Sequence, residues 1–273
     1  MATRVIAILA TYNEERFIAG CLENLIRQGL QVYLVDNEST DRTVAIAERY
    51  AGRGLIGIET LLRAGVFSLR QQCARKETLA ATLDADWFIH VDADQIVLPP
   101  RSTQSLAQAL AEVEAQGYNA VNFDQFAFVP TQEAPDHDHP NYQHTMRWYY
   151  PQEGFFPHSL RAWKRQEAPV ELSWSAGHRV RFPGLRMYPS AFRYRHYLFL
   201  SIEHAIRKYM QKRFDPAEIA DGWHGWRTRF CPETIRLPSQ AELRHYESDD
   251  KLDFSEPRKK HFVDDAAIEK AAI

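Results

Sequence analysis

Cysteine is scarce in this chain, and the three that occur, Cys21, Cys73 and Cys231, are far apart and form no CxxC pair. That pattern excludes a disulfide framework and a zinc knuckle, and it fits a reducing compartment. Long apolar runs are missing as well. No stretch reaches the ~18 apolar residues of a membrane span, and the apolar run in MATRVIAILATYNEE is shorter than a signal-peptide core. A cytoplasmic location is therefore the expectation. There is no surplus of positive charge either: the formal net charge is −3, whereas a binder of polyphosphate backbone is strongly basic. No nucleic-acid partner is expected, and any anion site must be local. No GxGxxG follows an early strand, which argues against a dinucleotide-dependent oxidoreductase. Repeats and low-complexity linkers are absent, so one domain with a C-terminal extension is expected.

What is present is an alternation of apolar runs and helical patterns over the first hundred residues. RVIAILA reads as a buried strand, followed by a helix in which Phe17, Ile18, Cys21, Leu22, Leu25 and Ile26 recur at helical spacing, with Asn13 as N-cap and Gly29 as terminator. QVYLVD is a strand, NEST a turn, and a short helix runs through Arg49. LIGIET is a third strand, SLRQQCARKETLAATL a helix and DWFIHVD a fourth strand. This is βαβαβαβ, the order of an α/β fold with a mostly parallel sheet flanked by helices. Beyond it the pattern predicts a helix from Ser102 to about Gln116, a strand pair in YNAVNFDQFAFV, and a long functional loop over residues 130–160. Strands at SLRAWKR and HRVRF, a basic helix from about Phe199 to Phe214 and a charged tail from Glu247 complete the reading.

Ligands of an open parallel sheet sit beyond the carboxyl ends of its strands. Polar residues stand at those ends here: TYNEE after the first strand, DNESTD after the second, DADQ after the fourth. Asp92 and Asp94, one residue apart where a strand becomes a loop, can hold an oxygen-loving divalent cation and still reach a ligand hydroxyl. Such a cation makes a diphosphate a better leaving group.

ATYNEE, VDNESTDRT and FIHVDADQ, in that order and spacing, resemble glycosyltransferase family 2 enzymes of the GT-A (Rossmann-like) fold, with Asp92-Ala93-Asp94 as the DxD motif. SAGHRV, HYLFLSIEHAIRKYMQKRF and GWHGW are similar to a bacterial-type subgroup associated with surface polysaccharide assembly. The resemblance implies a nucleotide-sugar donor, a Mn²⁺ or Mg²⁺ ion, and a saccharide or lipid-linked acceptor. It implies a nucleotide pocket lined by Thr11, Asn13 and Glu15, with Asp36 on the base. Asp92 would reach ribose or metal, and Asp94 would ligate the metal. Arg75 in CARK stands near the arginine of the family's ARN segment, one residue out of register and followed by Lys76 in place of asparagine. Residues 1–125 would form the nucleotide-sugar-binding half, 126–246 the acceptor-side half and 247–273 the charged tail, with peripheral contact at the inner face of a membrane.

Several positions stay open. Asn13 and Glu15 suit any helix start, Asp36 any turn and Arg75 a wet helix face. His178, after the small-residue turn SAG, and His196 are candidates to complete the metal shell or to serve as structural histidines. DHDHPNYQH has the composition of a metal site, but a solvated loop accounts for it; His90 reads as a core residue. Arg207, Lys208, Lys212 and Arg213 form a wet face or a landing site for phosphate or an anionic membrane. An inverting transfer needs a base, and Asp124, Glu171 and Glu153 are the candidates, in that order. Trp148, Tyr149, Tyr150, Phe155 and Phe156 offer flat faces for a sugar acceptor. The rival functions are a nucleotidyltransferase, disfavoured by the acidic TYNEE in place of a glycine-rich basic loop, and a non-catalytic carbohydrate-binding protein on the same fold.

Overall fold

Val5–Thr11 forms β1, and its first five residues are at most 1% exposed, the near-continuous apolar run of a strand covered on both faces. The computed structural model describes residues 3–262 apart from 155, 157, 231, 233 and 234. Phe155, Cys231 and residues 263–273 of the charged tail thus lie outside the described residues. The remaining strands are β2 (Gln31–Asp36), β3 (Leu55–Thr60), β4 (Trp87–Asp92), β5 (Gln95–Leu98), β6 (Ala120–Phe128), β7 (Trp148–Gln152), β8 (Leu160–Lys164), β9 (Phe192–Tyr197) and β10 (Arg244–His245).

The chain divides into two compact units. The first comprises Met1–Arg63, Leu69–Asp124 and Gly154–Tyr194; the second comprises Ala64–Ser68, Gln125–Glu153 and the chain from Arg195 onward. In the first unit β1 lies between β2 and β4, parallel to both, and β2 pairs in parallel with β3. β8 runs antiparallel to both β4 and β6, so β6 points the same way as β4 with one strand between them. The register is what matters for function: Thr11 faces Asp36, and Ala10 faces Asp92. Three polar strand ends therefore fall on one line.

The helices of this unit are α1 (Ile18–Arg27), α2 (Thr43–Ala47), α3 (Leu69–Thr82) and α4 (Leu106–Ala115). Asn13 is not the cap of α1: it adopts a left-handed φ of +55° and the helix begins at Ile18, with Phe17 in the capping position. Gly29 does end the helix, at φ +82° with its N–H on the Ile26 carbonyl. α4 starts later than Ser102 because Ser105 and Gln108 form a reciprocal capping box. YNAVNFDQFAFV is one strand, β6, rather than a pair. HRVRF forms no strand, only a bridge from Arg181 to Glu171.

In the second unit the far half of β6 pairs with β7, and β7 with β10, all antiparallel. Residues 130–160, expected as a loop, thus contribute β7 and a short helix, α5 (Tyr142–Thr145). The expected basic helix is shorter than its sequence pattern, with α6 (Ile202–Ala205) continuing as a π turn to Met210; α7 (Pro216–Ala220) follows. The tail beyond Glu247 is partly structured: Asp249–Lys251 is a 3₁₀ turn, and the Asp253 N–H donates to the Tyr149 hydroxyl. Among the described residues no helix is long and apolar enough to cross a membrane.

Candidate active site

The loops after β1 and β2 are laced together by the residues expected to line a nucleotide pocket. Asn13 N–H donates to Ser39 Oγ (3.0 Å) and Asn13 Oδ1 accepts from Thr40 N–H (2.7 Å). Glu15 N–H donates to Asp41 (3.1 Å), while its carboxylate accepts from Arg42 Nε (3.0 Å), and that bond holds the Glu15 carboxyl below its ordinary pKa. Asp36 is buried, accepting the Ser39 N–H at 2.9 Å and the Thr11 hydroxyl at 3.5 Å. The left-handed Asn13 is what turns the chain toward this second loop. Arg63, also buried, lies over the Tyr12 ring with Cζ 3.7 Å from its centroid.

At the end of β4 the Asp92 carboxylate is held from two sides. Oδ2 accepts from Gln95 Nε2 (2.8 Å) and Arg161 (3.1 Å), and Oδ1 lies 3.5 Å from His90 Nε2. Arg161 reaches it because of a β-bulge: Val121 pairs with Ala162 and Asn122 with Leu160, leaving Arg161 as the extra residue. The same guanidinium bonds Gln95 Oε1 (2.8 Å) and Ser159 Oγ (3.0 Å), approaches His178 Nδ1 (3.5 Å) and faces the Tyr194 ring. Burial alone would raise the Asp92 carboxyl; the His90 imidazole and the cations Arg161 and Lys76 outweigh it and hold the group well below the usual carboxylate range. Lys76 is 1% exposed and bonds His90 Nδ1 (3.1 Å) and the Val91 carbonyl (3.3 Å). Asp94 is buried two residues further on.

His178 thus lies beside the Asp92 cluster, on a turn with left-handed residues Ala176 and Gly177, of which Gly177 packs against His90. His196 belongs to the second unit, where Gln125 Nε2 donates to its Nδ1 (3.0 Å). Arg75 is committed to Glu59 by two bonds of 2.5 and 2.6 Å. Asp124 ends the first unit's part of β6; because β6 points the same way as β4, this carboxylate stands at the same edge of the sheet as Asp92. Burial, opposed by Arg193, raises its pKa to about 6. Glu171 forms an exposed ion pair with Arg181, and Glu153 lies in the second unit. Of the aromatic residues expected to meet an acceptor, Tyr149 and Tyr150 are core, Trp148 is half-buried against His245, and Phe156 contacts Trp174. In DHDHPNYQH, His137 is buried and hydrogen-bonded to Thr145, and Asp138 pairs with Arg207 of the basic segment.

Four residues of the Asp92 cluster escaped the sequence reading. Arg161 and Lys76 each carried a faint signal, a lone cation at an apolar position: Arg161 between Leu160 and Ala162, and Lys76 on the face of α3 shared by Cys73, Leu79 and Ala80. His90 was read as core, which its burial matches, and Gln95 follows the DxD directly.

Among the described residues no three His, Cys, Asp or Glu side chains converge on a metal position. The donor chemistry nonetheless fits an open site. Hard cations such as Mg²⁺ are commonly held by one or two carboxylates, with substrate phosphates and water completing the shell. Asp94 would supply such a carboxylate next to Asp92, whose oxygens face Gln95, Arg161 and His90.

Residues 6–167 match the glycosyl transferase family 2 domain. No curated protein sequence matches the chain. Among solved structures it is similar to S. aureus TarS 1-349 in complex with UDP-GlcNAc, at 20% identity and TM-score 0.33, covering 47% of this chain and 34% of that one. A structure of S. aureus TarS is 15% identical, with TM-score 0.45 and coverage of 71% and 36%. TarS 1-349 is 13% identical, with TM-score 0.41 and coverage of 76% and 65%. The chain therefore spans about a third of the length of the first of these proteins. The family match covers more than half of the sequence and includes the ends of β1, β2 and β4, and the chain belongs to glycosyl transferase family 2.

Proposed function

We propose that this protein transfers a sugar from a nucleotide diphosphate to a hydroxyl acceptor. The observation that carries the reading is the register of the parallel sheet, which brings Thr11, Asp36 and the Asp92–Asp94 turn to one edge within the family-matched residues. The cleft beyond such an edge is where open α/β sheets bind ligands. On this reading the laced 11–15 and 36–42 loops receive the nucleoside, with the Asp36 carboxylate accepting an N–H of the base. Asp92 addresses the ribose. Asp94 would hold a Mn²⁺ or Mg²⁺ ion, whose charge would stabilise the departing diphosphate.

In the transfer the acceptor oxygen forms a bond to the anomeric carbon as the bond from that carbon to the phosphate oxygen breaks. The nucleoside diphosphate leaves with the electron pair, and the acceptor proton passes to a base. Asp124 suits that role: its carboxyl, with a pKa of about 6, is ionised at neutral pH and basic enough to take the proton. Attack opposite the leaving group inverts the anomeric centre. The acceptor on this reading is a saccharide or a lipid-linked saccharide, as in polysaccharide or glycoconjugate assembly. The buried thiols Cys21 and Cys73 suit a reducing compartment.

A thermal-shift panel of nucleotide sugars with and without Mn²⁺, followed by donor hydrolysis on the best binder, tests the reading. One donor class should raise the melting temperature, since ligand at 100-fold its Kd adds about 2.7 kcal/mol, and it should be hydrolysed slowly in the absence of acceptor. Binding without hydrolysis or transfer would instead favour a carbohydrate-binding protein on the same fold.

A further inference from the structure

Two buried side chains behind Asp92 take no part in any step of the transfer just described: Lys76 on α3 and His90 on β4. The Lys76 ammonium reaches His90 Nδ1 at 3.1 Å and the Val91 carbonyl at 3.3 Å. An ammonium group only donates, so Nδ1 accepts and the single proton of the neutral ring sits on Nε2. That nitrogen lies 3.5 Å from Asp92 Oδ1, at the outer edge of hydrogen-bond reach. The ring has no slack on its other side. Gly177 is packed so closely that a Cβ there would stand 2.4 Å from His90 Cε1. The second Asp92 oxygen is meanwhile fixed by Gln95 and the bulged Arg161.

We propose that Lys76 and His90 form a relay that sets the rotation of the Asp92 carboxylate for donor binding, with Lys76 as a positioning residue acting through the imidazole. The proposal rests on the glycosyl-transfer reading for its ligand, but its geometry exists without one. A methionine would fill the same space without burying an ammonium, but it would leave the buried His90 Nδ1 without its Lys76 donor. What methionine cannot do is hold the Nε2–H tautomer. Without that tautomer His90 can turn an acceptor toward Asp92, and the carboxylate loses the neighbour that faces Oδ1.

The test uses the full chain, UDP and GDP in Mn²⁺ as probes, and the variants Lys76→Met, His90→Leu and His90→Gln. Glutamine can accept from Lys76 and donate toward Asp92, so it restores the polarity of the relay. Lys76→Met and His90→Leu should each weaken the probe that the parent binds by about tenfold, out of proportion to any fall in melting temperature. His90→Gln should stay within about threefold, and the Lys76→Met/His90→Leu pair should be no worse than the weaker single variant. Parent-like affinity in Lys76→Met, equal losses for leucine and glutamine, or losses that track the melting temperature would each overturn the relay. The ligand-free chain supplies an independent readout, the two-bond ¹H–¹⁵N spectrum of the histidines. His90 protonated on Nε2 in the parent and of mixed tautomer in Lys76→Met supports the relay; an Nδ1–H parent, or identical spectra, overturns it. A parent that takes up neither probe counts against the glycosyl-transfer reading, while the spectra still decide the relay.

Discussion

Asp124, the first candidate for the acceptor base, stands level with Asp92 across β8, and burial raises its pKa to about 6. The sign of the effect on rate follows directly. Below pH 6 the group is protonated and cannot accept a proton, so transfer should rise as pH passes through about 6 and then level off. Asp124→Asn should remove that limb and lower the rate by ~10²–10⁴-fold. Stability moves the opposite way. A carboxyl whose folded pKa exceeds its unfolded value favours the folded state when protonated, an advantage complete below about pH 3.9 and lost as pH rises through about 6. The melting temperature of Asp124→Asn should therefore vary less than that of the parent between about pH 4 and about pH 7. Asp94→Ala should behave differently, abolishing metal-dependent nucleoside-diphosphate binding with little change in melting temperature, because a carboxylate at a strand end contributes little to the core. Calorimetry in Mn²⁺ checks it; unchanged affinity would remove Asp94 from the site. Both acids could be picked out in the sequence because they stand against apolar runs, Asp94 just after β4 and Asp124 midway along β6. Arg161 and Lys76 could not, since a single long cation in an apolar pattern reads equally well as a side chain that extends its head to water.

The turn over residues 172–178 shows how one small element is fixed by several others. Glu77, next to Lys76 on α3, accepts the N–H groups of Leu172 (2.5 Å) and Ser173 (2.7 Å), so one helix secures both His90 and the turn that presses on it. Gly177 combines a φ of +81° with the close approach to His90, whereas a Cβ added at Gly184, where φ is +75°, would meet nothing within 4 Å. Gly177→Ala and Gly184→Ala thus share the backbone penalty and differ in the clash. The clash should cost ~1–3 kcal/mol, lowering the melting temperature by roughly 2–4 °C per kcal/mol. Differential scanning calorimetry of the two variants measures the difference, and equal shifts would mean that His90 simply moves aside. Sequence reading was weakest at this scale. Helical periodicity located α1 but not its start, because Asn13 suits a cap and a left-handed turn equally well. Tyr149 and Tyr150 were read as exposed platforms because aromatic residues without a clear period look like a loop, while in the fold they sit in a strand, β7, and are buried there.

At the scale of the whole molecule, the parallel half was legible because βαβ units leave a strong local record: apolar run, polar turn, amphipathic helix. The return of residues 154–194 to the first unit was not, because no local pattern announces a distant partner. The family match ends at residue 167, just past β8. β8 stands between β4 and β6, both of which precede it in sequence. Ribosomal synthesis runs in one direction, so β4 is made, then β6, and both wait with open edges for the strand that joins them. A released fragment ending at residue 153 should therefore aggregate or be digested throughout β1 to β4, while the full chain resists; a protease-resistant, soluble fragment would show that the sheet closes without β8. The same order of events means that Asp92 emerges well before Arg161, so a nascent chain carries its acidic turn without that guanidinium until the sheet is sealed.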